Sequence, residues 1–398
     1  MGERQTILVA GAGIGGLTAA LALAEAGYRV VIAERSAELS EAGAGIQIAP
    51  NAGRVLARLG LDGAVAEEAI EPEAIEITSG TTGDVICSIP ASAFRDRYGF
   101  PYRVIHRADL QAILAGAARA NPAIDLRLGA NVPQFLAQDD GLLVRIRKPR
   151  GIEVVPAVAL IAADGVWSTF REKVAGSAKA KPSGRTAWRA VLPADVAGDL
   201  VATDRVGLWL GHDAHLVHYP VAKGAAINIV AVVTEDWDKR GWSAVGDRAE
   251  VARRFRAWPA KARKLIAAPI AWQKFTIHSV DPRGEWTDGR LALLGDAAHA
   301  MTPFLAQGAA MAMEDAAVLA DCLYGATDIS AALHKYEAAR KDRVAEVAEA
   351  SARSGHQYHY AGAMAFARDT ALKLANTRLI LNRNDWLYRW LPPQRPSA

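Results

Sequence analysis

The chain has 398 residues, 51% hydrophobic and 22% charged, with a formal net charge of +3. That length suits two or three domains around a large core, and the lack of a Lys/Arg block argues against a nucleic-acid surface. No apolar run approaches the ~20 residues of a membrane span. Cys87 and Cys322 fit neither a metal site nor a disulfide framework, and no signal peptide precedes the first strand, so a cytoplasmic setting is expected.

Thr6 to Ala10 is a short apolar run and reads as a buried parallel strand. Ile14 to Ala26 is rich in Ala and Leu and stops at Gly27, as a helix does, and Arg29 to Ala33 is a second strand. This βαβ order implies a parallel sheet. Strands follow weakly between Ala74 and Pro90, a helix over Ala108 to Ala120, and strands over Leu126 to Val155 broken at Asp139-Asp140-Gly141. From Thr186 to Val233 the pattern is mostly strand, with a hairpin turn at Lys223-Gly224. Arg290 to Leu294 is a short buried strand, and helices cover Gly308 to Leu323 and Ala331 to about Arg353. The fold class is α/β: a Rossmann-like dinucleotide-binding domain, an interleaved β-sheet domain and C-terminal helices. The expected segments are 1–73, 101–185 and 280–335 for the first, 74–100 and 186–279 for the second, and 336–398 for the third.

Three motifs carry chemistry. Gly11-Ala12-Gly13-Ile14-Gly15-Gly16 is a G-x-G-x-x-G loop between strand and helix. Gly11 permits the turn, Gly13 admits a pyrophosphate, and Gly16 allows close packing. Ile14 opens the helix whose N-terminus faces the phosphates. Glu34, 18 residues past Gly16, is placed to bind an adenosine ribose. This motif alone does not separate NAD from FAD. Asp164-Gly165 follows a second apolar strand, and Gly295-Asp296 a third. Beyond the third comes Ala306-Gln307-Gly308-Ala309-Ala310, opening a helix whose N–H groups would stabilise negative charge on a bound ring.

Together these motifs resemble the class A flavoprotein aromatic hydroxylases, the para-hydroxybenzoate hydroxylase superfamily. The closest pattern is the salicylate hydroxylase and 3-hydroxybenzoate 6-hydroxylase subgroup. Further support lies in Glu34-Arg35, Gly43-Ala44-Gly45-Ile46-Gln47, His106-Arg107-Ala108-Asp109-Leu110 and Thr186-Ala187-Trp188-Arg189-Ala190. The wider superfamily more often has Gly-Gln-Gly-x-Asn where this chain has Ala306 to Ala310, a departure shared with the subgroup. The resemblance implies FAD as cofactor. Glu34 and Arg35 would meet adenosine, Arg107 the pyrophosphate, and Val132 the adenine. Asp296 would meet the ribityl chain, and Ala44, Gly45, Gln47, Gly308 and Ala309 the flavin. Asp164 is tied to both FAD and the pyridine nucleotide. No second G-x-G-x-x-G occurs, which agrees with NAD(P)H, NADH favoured, as a visiting reductant.

In such enzymes reduced flavin and O2 form a C4a-hydroperoxide that needs a dry pocket, and the phenol must lose its proton to become electron-rich. In His215-Leu216-Val217-His218-Tyr219-Pro220, strand alternation puts His215, Val217 and Tyr219 on one face and His218 on the other. By resemblance, His215 is assigned as proton acceptor, Tyr219 as hydrogen-bond partner and orienter of the phenol, and Gln307 as substrate positioner. His212 and His218 are read as surface or structural residues. The aromatic tail from Asn384 to Leu391 is read as a cover for the nucleotide domain or a dimer contact. The expected partners are a small aromatic substrate, O2 and NAD(P)H, for a monomer or homodimer without nucleic acid or membrane span.

Salicylate 1-hydroxylation, 3-hydroxybenzoate 6-hydroxylation and hydroxylation of a hydroxynicotinate, larger phenol or quinolone are all compatible. A flavin halogenase ranks low because Trp-x-Trp-x-Ile-Pro is missing. A flavin-binding protein without monooxygenase activity is the third class.

Overall fold

The computed structural model describes residues 4–39, 45–237 and 244–394. Ile7, Leu8 and Val9 are completely buried, because their strand Thr6–Ala10 is the middle of a six-stranded sheet. Its neighbours are the parallel strands Ala159–Ala162 and Arg29–Ala33, with Leu291–Leu293 and Ile124–Arg127 beyond them. The short strand Thr287–Asp288 closes one edge antiparallel. A strand covered on both faces must be apolar throughout, which is why these segments read as runs rather than alternations. The helix Ile14–Glu25 is apolar nearly all round because it lies between helices Gly308–Leu323 and Arg107–Ala120.

The second sheet has eight strands, in the order Ala244–Gly246, Trp272–Ser279, Lys181–Pro193, Ala226–Thr234, Ala214–Val221, Val206–Gly211, Ala74–Ser79 and Val85–Pro90. Alternation divides its residues between two faces. Trp188, Leu216, Ile229, Ala231 and Trp272 pack under helices Arg248–Arg254 and Ala260–Ala267. The opposite face carries Arg189, His215, Val217, Tyr219, Asn228, Val230 and Phe275. The hairpin turn falls where expected, with Ala222 and Lys223 at positive φ between paired Val221 and Ala226.

The expected C-terminal helix is longer than its sequence suggested. It runs Ile329–Tyr358, capped by the Asp328 side chain accepting from the Ala331 N–H at 3.0 Å. Residues 335 and 336, where a change of region was expected, lie inside it. Gly355 does not end the helix. It gives room instead, since a Cβ there would meet the Phe304 ring at 2.3 Å.

A buried ionic network joins this helix to Gly308–Leu323. Arg340 donates to Asp315 Oδ1 at 2.7 Å and Glu314 Oε2 at 2.8 Å, and Arg343 donates to both Glu314 oxygens. Asp315 Oδ2 also accepts from the Gly295 N–H and meets His299 Nε2 at 2.5 Å. Asn51 donates to Glu314 and to Gln307 Oε1. Arg343 reaches the carbonyls of Trp386 and Leu387, and Arg54 those of Tyr388 and Trp390, so the aromatic tail is docked on the body.

Burial alone would raise the Asp315 pKa, but His299 and Arg340 outweigh it and hold the carboxyl below its ordinary value. This contribution to stability is complete above the usual Asp pKa of about 3.9 and is lost as pH falls through the lower folded value. Arg340→Met removes the cation shared by two buried carboxylates, and we expect it to cost about 3–5 kcal/mol in urea unfolding. A loss under about 1 kcal/mol would show that the network carries little of the fold.

Candidate active site

Three loops converge at the carboxyl edge of the six-stranded sheet, because the strands that carry them are adjacent. Gly11 has φ +106°, and a Cβ on it would lie 2.4 Å from the Ala163 carbonyl oxygen, beside Asp164. A Cβ on Gly16 would lie 2.1 Å from the Gly11 oxygen. A Cβ on Gly13 would meet nothing within 4 Å. Two glycines are thus required by close packing, and the third faces open space suited to a phosphate. The helix from Ile14 has no side-chain cap and no acid in its first turn, so its leading N–H groups and dipole address that space.

The surrounding residues extend this cradle. Glu34 holds the Ala12 and Ser36 N–H groups at 2.8 Å each, which aims its carboxylate along the loop. Arg35 beside it is exposed. The Ala130 N–H bonds the Glu34 carbonyl at 2.7 Å and brings Val132 to the same end. Arg107 lies one helical turn before Gln111, which donates to the Ala12 carbonyl at 2.9 Å; both are on the face toward the loop. Asp164 accepts from the Thr169 N–H, and burial raises its pKa. Arg171 ties this turn to the third motif, donating to the Val166 and Ala297 carbonyls. Asp296 is exposed at the head of an otherwise buried stretch. The helix from Gly308 also starts without a side-chain cap, and a Cβ on Gly308 would meet nothing within 4 Å. Ala309 is half-buried behind it. Uncapped helix ends, the open space at Gly13 and two addressable carboxylates match the pyrophosphate, ribose, ribityl and flavin parts of FAD. Ala44 lies outside the described residues.

The strand Gly45–Ile48 presses against the second sheet. A Cβ on Gly45 would sit 2.3 Å from Tyr219 Cε2, and the Gly45 N–H donates to Asn228 Oδ1 at 2.9 Å. Gln47 accepts from the Tyr102 hydroxyl and hydrogen-bonds Tyr219. Burial raises the Tyr219 pKa, against the pull of Arg189, so this phenol stays protonated. His215 is buried against Phe304 and Tyr358, with Nδ1 2.8 Å from His359 Nε2. Burial, then Arg185, push its pKa down to about 3. Between His215 and Tyr219, Val217 and Val230 are half-buried, beside Arg189 stacked on Phe275 with 5.1 Å from Cζ to the ring centroid. Gln307 is buried with Oε1 held by Asn51, leaving its Nε2 without a partner among the described residues. His218 is buried on the opposite face against Gly207, and His212 is exposed.

Several residues here carry no sequence signal of their own. Asn51, Arg340 and Arg343 act through the buried network, and Arg185, Tyr102, Tyr358 and His359 come from distant segments. Tyr102 feels the phenols of Tyr388, Tyr219 and Tyr358, so four tyrosines gather around this space.

This arrangement is that of a flavoprotein aromatic hydroxylase: a loop cradle suited to FAD beside a buried sheet face that carries His215, Val217 and Tyr219. The sequence matches the FAD binding domain family over residues 4–351, and the chain belongs to that family of FAD-dependent monooxygenases. It is 35% identical to 3-hydroxybenzoate 6-hydroxylase 1 of Aquipseudomonas alcaligenes over 96% of this chain and 97% of that protein. Its fold superposes on Klebsiella pneumoniae HpxO complexed with FAD and uric acid with TM-score 0.82 at 28% identity, covering 95% of each chain. A salicylate hydroxylase substrate complex gives TM-score 0.81 at 25% identity, covering 97% of this chain and 96% of that one. No helix among the described residues is long and apolar enough to cross a membrane.

The glycines separate fold from binding. Gly13→Val, which meets open space, should leave the thermal unfolding of flavin-free protein within about 0.5 kcal/mol of wild type while abolishing bound flavin absorbance. Gly16→Val should lose both. Retained flavin in Gly13→Val would show that the loop is not the phosphate site.

Proposed function

We propose that the chain hydroxylates a small phenolic carboxylate of the 3-hydroxybenzoate or salicylate type, using O2 and NAD(P)H, with NADH favoured. The observation that carries this reading is the order His215, Val217, Tyr219 on the sheet face that meets Gly45, Gln47 and the Gln307 loop. When bound, FAD supplies the redox chemistry, taking hydride from the pyridine nucleotide and activating oxygen.

The rest is the work of this chain. At about 3.4 Å per residue, His215 and Tyr219 stand about 14 Å apart along the strand, so a single aromatic ring lies between them over Val217. The phenol oxygen faces His215, and the carboxylate faces the end held by Tyr219, Gln47 and Tyr102. Arg189 is the cation placed to balance that carboxylate, since its charge already acts on Tyr219. The Gln307 amide borders the ring from the flavin side and orients it. Phe304, Tyr358 and Tyr388 exclude water, which protects a reactive oxygen donor.

The role expected of His215 changes. Burial and the nearby Arg185 both favour the neutral imidazole, which disfavours full proton transfer from the phenol to His215. His215 therefore serves as a neutral hydrogen-bonding partner of the phenol oxygen, and not as the final holder of its proton.

NADH and O2 consumption should rise when a hydroxybenzoate is added, with a dihydroxy product formed. His215→Ala should lower hydroxylation about 100-fold while NADH-driven flavin reduction persists. Arg189→Met should raise KM for the carboxylated substrate about tenfold or more and leave that of the matching uncharged phenol nearly unchanged. If no phenolic acid stimulates NADH use, the substrate assignment is wrong.

A further inference from the structure

Resting on the reading that His215 meets the phenol oxygen, we propose that Arg185 and His359 fix His215 as a hydrogen-bond donor, so that the site takes its substrate as the phenolate. Arg185, on strand Lys181–Pro193, carries only donors. Its Nη1 meets His359 Nδ1, which also lies 3.3 Å from Thr234 Oγ1. That nitrogen must accept from the guanidinium. A neutral imidazole has one N–H, which then sits on Nε2 of His359. His359 Nε2 is 2.8 Å from His215 Nδ1 and donates to it. The hydrogen of His215 is thereby placed on Nε2, the nitrogen with no partner among the described residues. The reverse order would set two N–H groups against each other at the Arg185–His359 contact.

The polarity is opposite to that of a histidine base. A base is backed by a carboxylate or carbonyl that accepts from its far nitrogen and raises its basicity. Here the chain begins at a cation. The groups packed around His215 are Arg185, His359, Tyr358 and Phe304. His356 and His212 act on His359, and Asp213 acts on Arg185 from outside the chain. Arg185 also lies over the Phe304 ring at 5.5 Å, which holds it in place from the flavin-loop side.

On binding, the phenolic O–H bond breaks, its electron pair stays on oxygen and its proton passes to solvent. The N–H on His215 Nε2 then donates to that oxygen, and no bond to the protein forms. His359 follows directly on the long helix Ile329–Tyr358, so the C-terminal part of the chain sets the ionisation of the ligand without touching it.

Arg185 and His359 are positioning residues, and the test reads the ionisation of the ligand. The holoenzyme is titrated with 3-hydroxy-4-nitrobenzoate, whose phenolate is yellow, and the pKa of the bound phenol is read from that band. In wild type it should fall at least about one unit below that of the free ligand. His359→Leu and Arg185→Met should each return it toward the free value and weaken phenolate binding about tenfold. His359→Gln, which can accept at Oε1 and donate at Nε2, should keep most of the shift. Selective 15N-histidine labelling of wild type reads the tautomer directly and needs no variant to fold. Hydrogen on Nε2 of His215 supports the chain, and hydrogen on Nδ1 or on both nitrogens overturns it. An unshifted bound phenol, in an enzyme that hydroxybenzoate still stimulates and His215→Ala still disables, overturns the donor chain alone. Absence of any saturable binding or stimulation by phenolic acids overturns the underlying function and this proposal with it.

Discussion

Glu314 and Asp315, adjacent on one helix and completely buried, are the constraint on which the rest of the structure depends. Two neighbouring carboxylates in an apolar interior are tolerable only if cations and N–H groups surround them. Arg340 and Arg343 meet that need from the long helix, while Asn51 and the Gly295–His299 turn, through the Gly295 N–H and the His299 ring, meet it from two other segments. Satisfying the charges therefore fixes the third motif loop, the Gln307 loop, the long helix and the aromatic tail relative to one another. The cofactor cradle is rigid because breaking any one of these contacts exposes a buried charge.

The two sheets divide the labour. The parallel sheet ends in backbone, since its glycine loops and uncapped helices present N–H groups that suit phosphate and flavin oxygens. The mixed eight-stranded sheet presents side chains, since alternation delivers a row of different groups to one face. Hydroxylation needs both kinds of surface together, and Gly45, on a separate two-stranded sheet, packs directly against Tyr219. A side chain at Gly45 would collide with the Tyr219 ring.

Much of the cofactor region was legible in the sequence, because short-range patterns specify it: apolar runs for buried strands, and glycines where φ or close approach forbids a Cβ. The alternation in Ala214 to Val221 likewise put His215 and Tyr219 on one face and His218 on the other. What stayed hidden depends on contacts between residues far apart in the chain. Asn51, Arg340 and Arg343 look like ordinary helix residues until two buried carboxylates meet them. His359 lies 144 residues from His215, and only the fold shows that it polarises that ring. The long helix runs past its expected end near Arg353 for a related reason: it continues through Gly355, whose missing side chain admits Phe304.

The central claim is that an aromatic substrate lies over Val217, between His215 and Tyr219, on the face turned to the FAD loops. A crystal structure of the holoenzyme with 3-hydroxybenzoate tests it most directly. The account predicts the ring over Val217, the phenol oxygen within hydrogen-bond distance of His215 Nε2, and the carboxylate toward Tyr219 and Arg189. A ligand bound away from this face, or with its phenol oxygen directed away from His215, would contradict it.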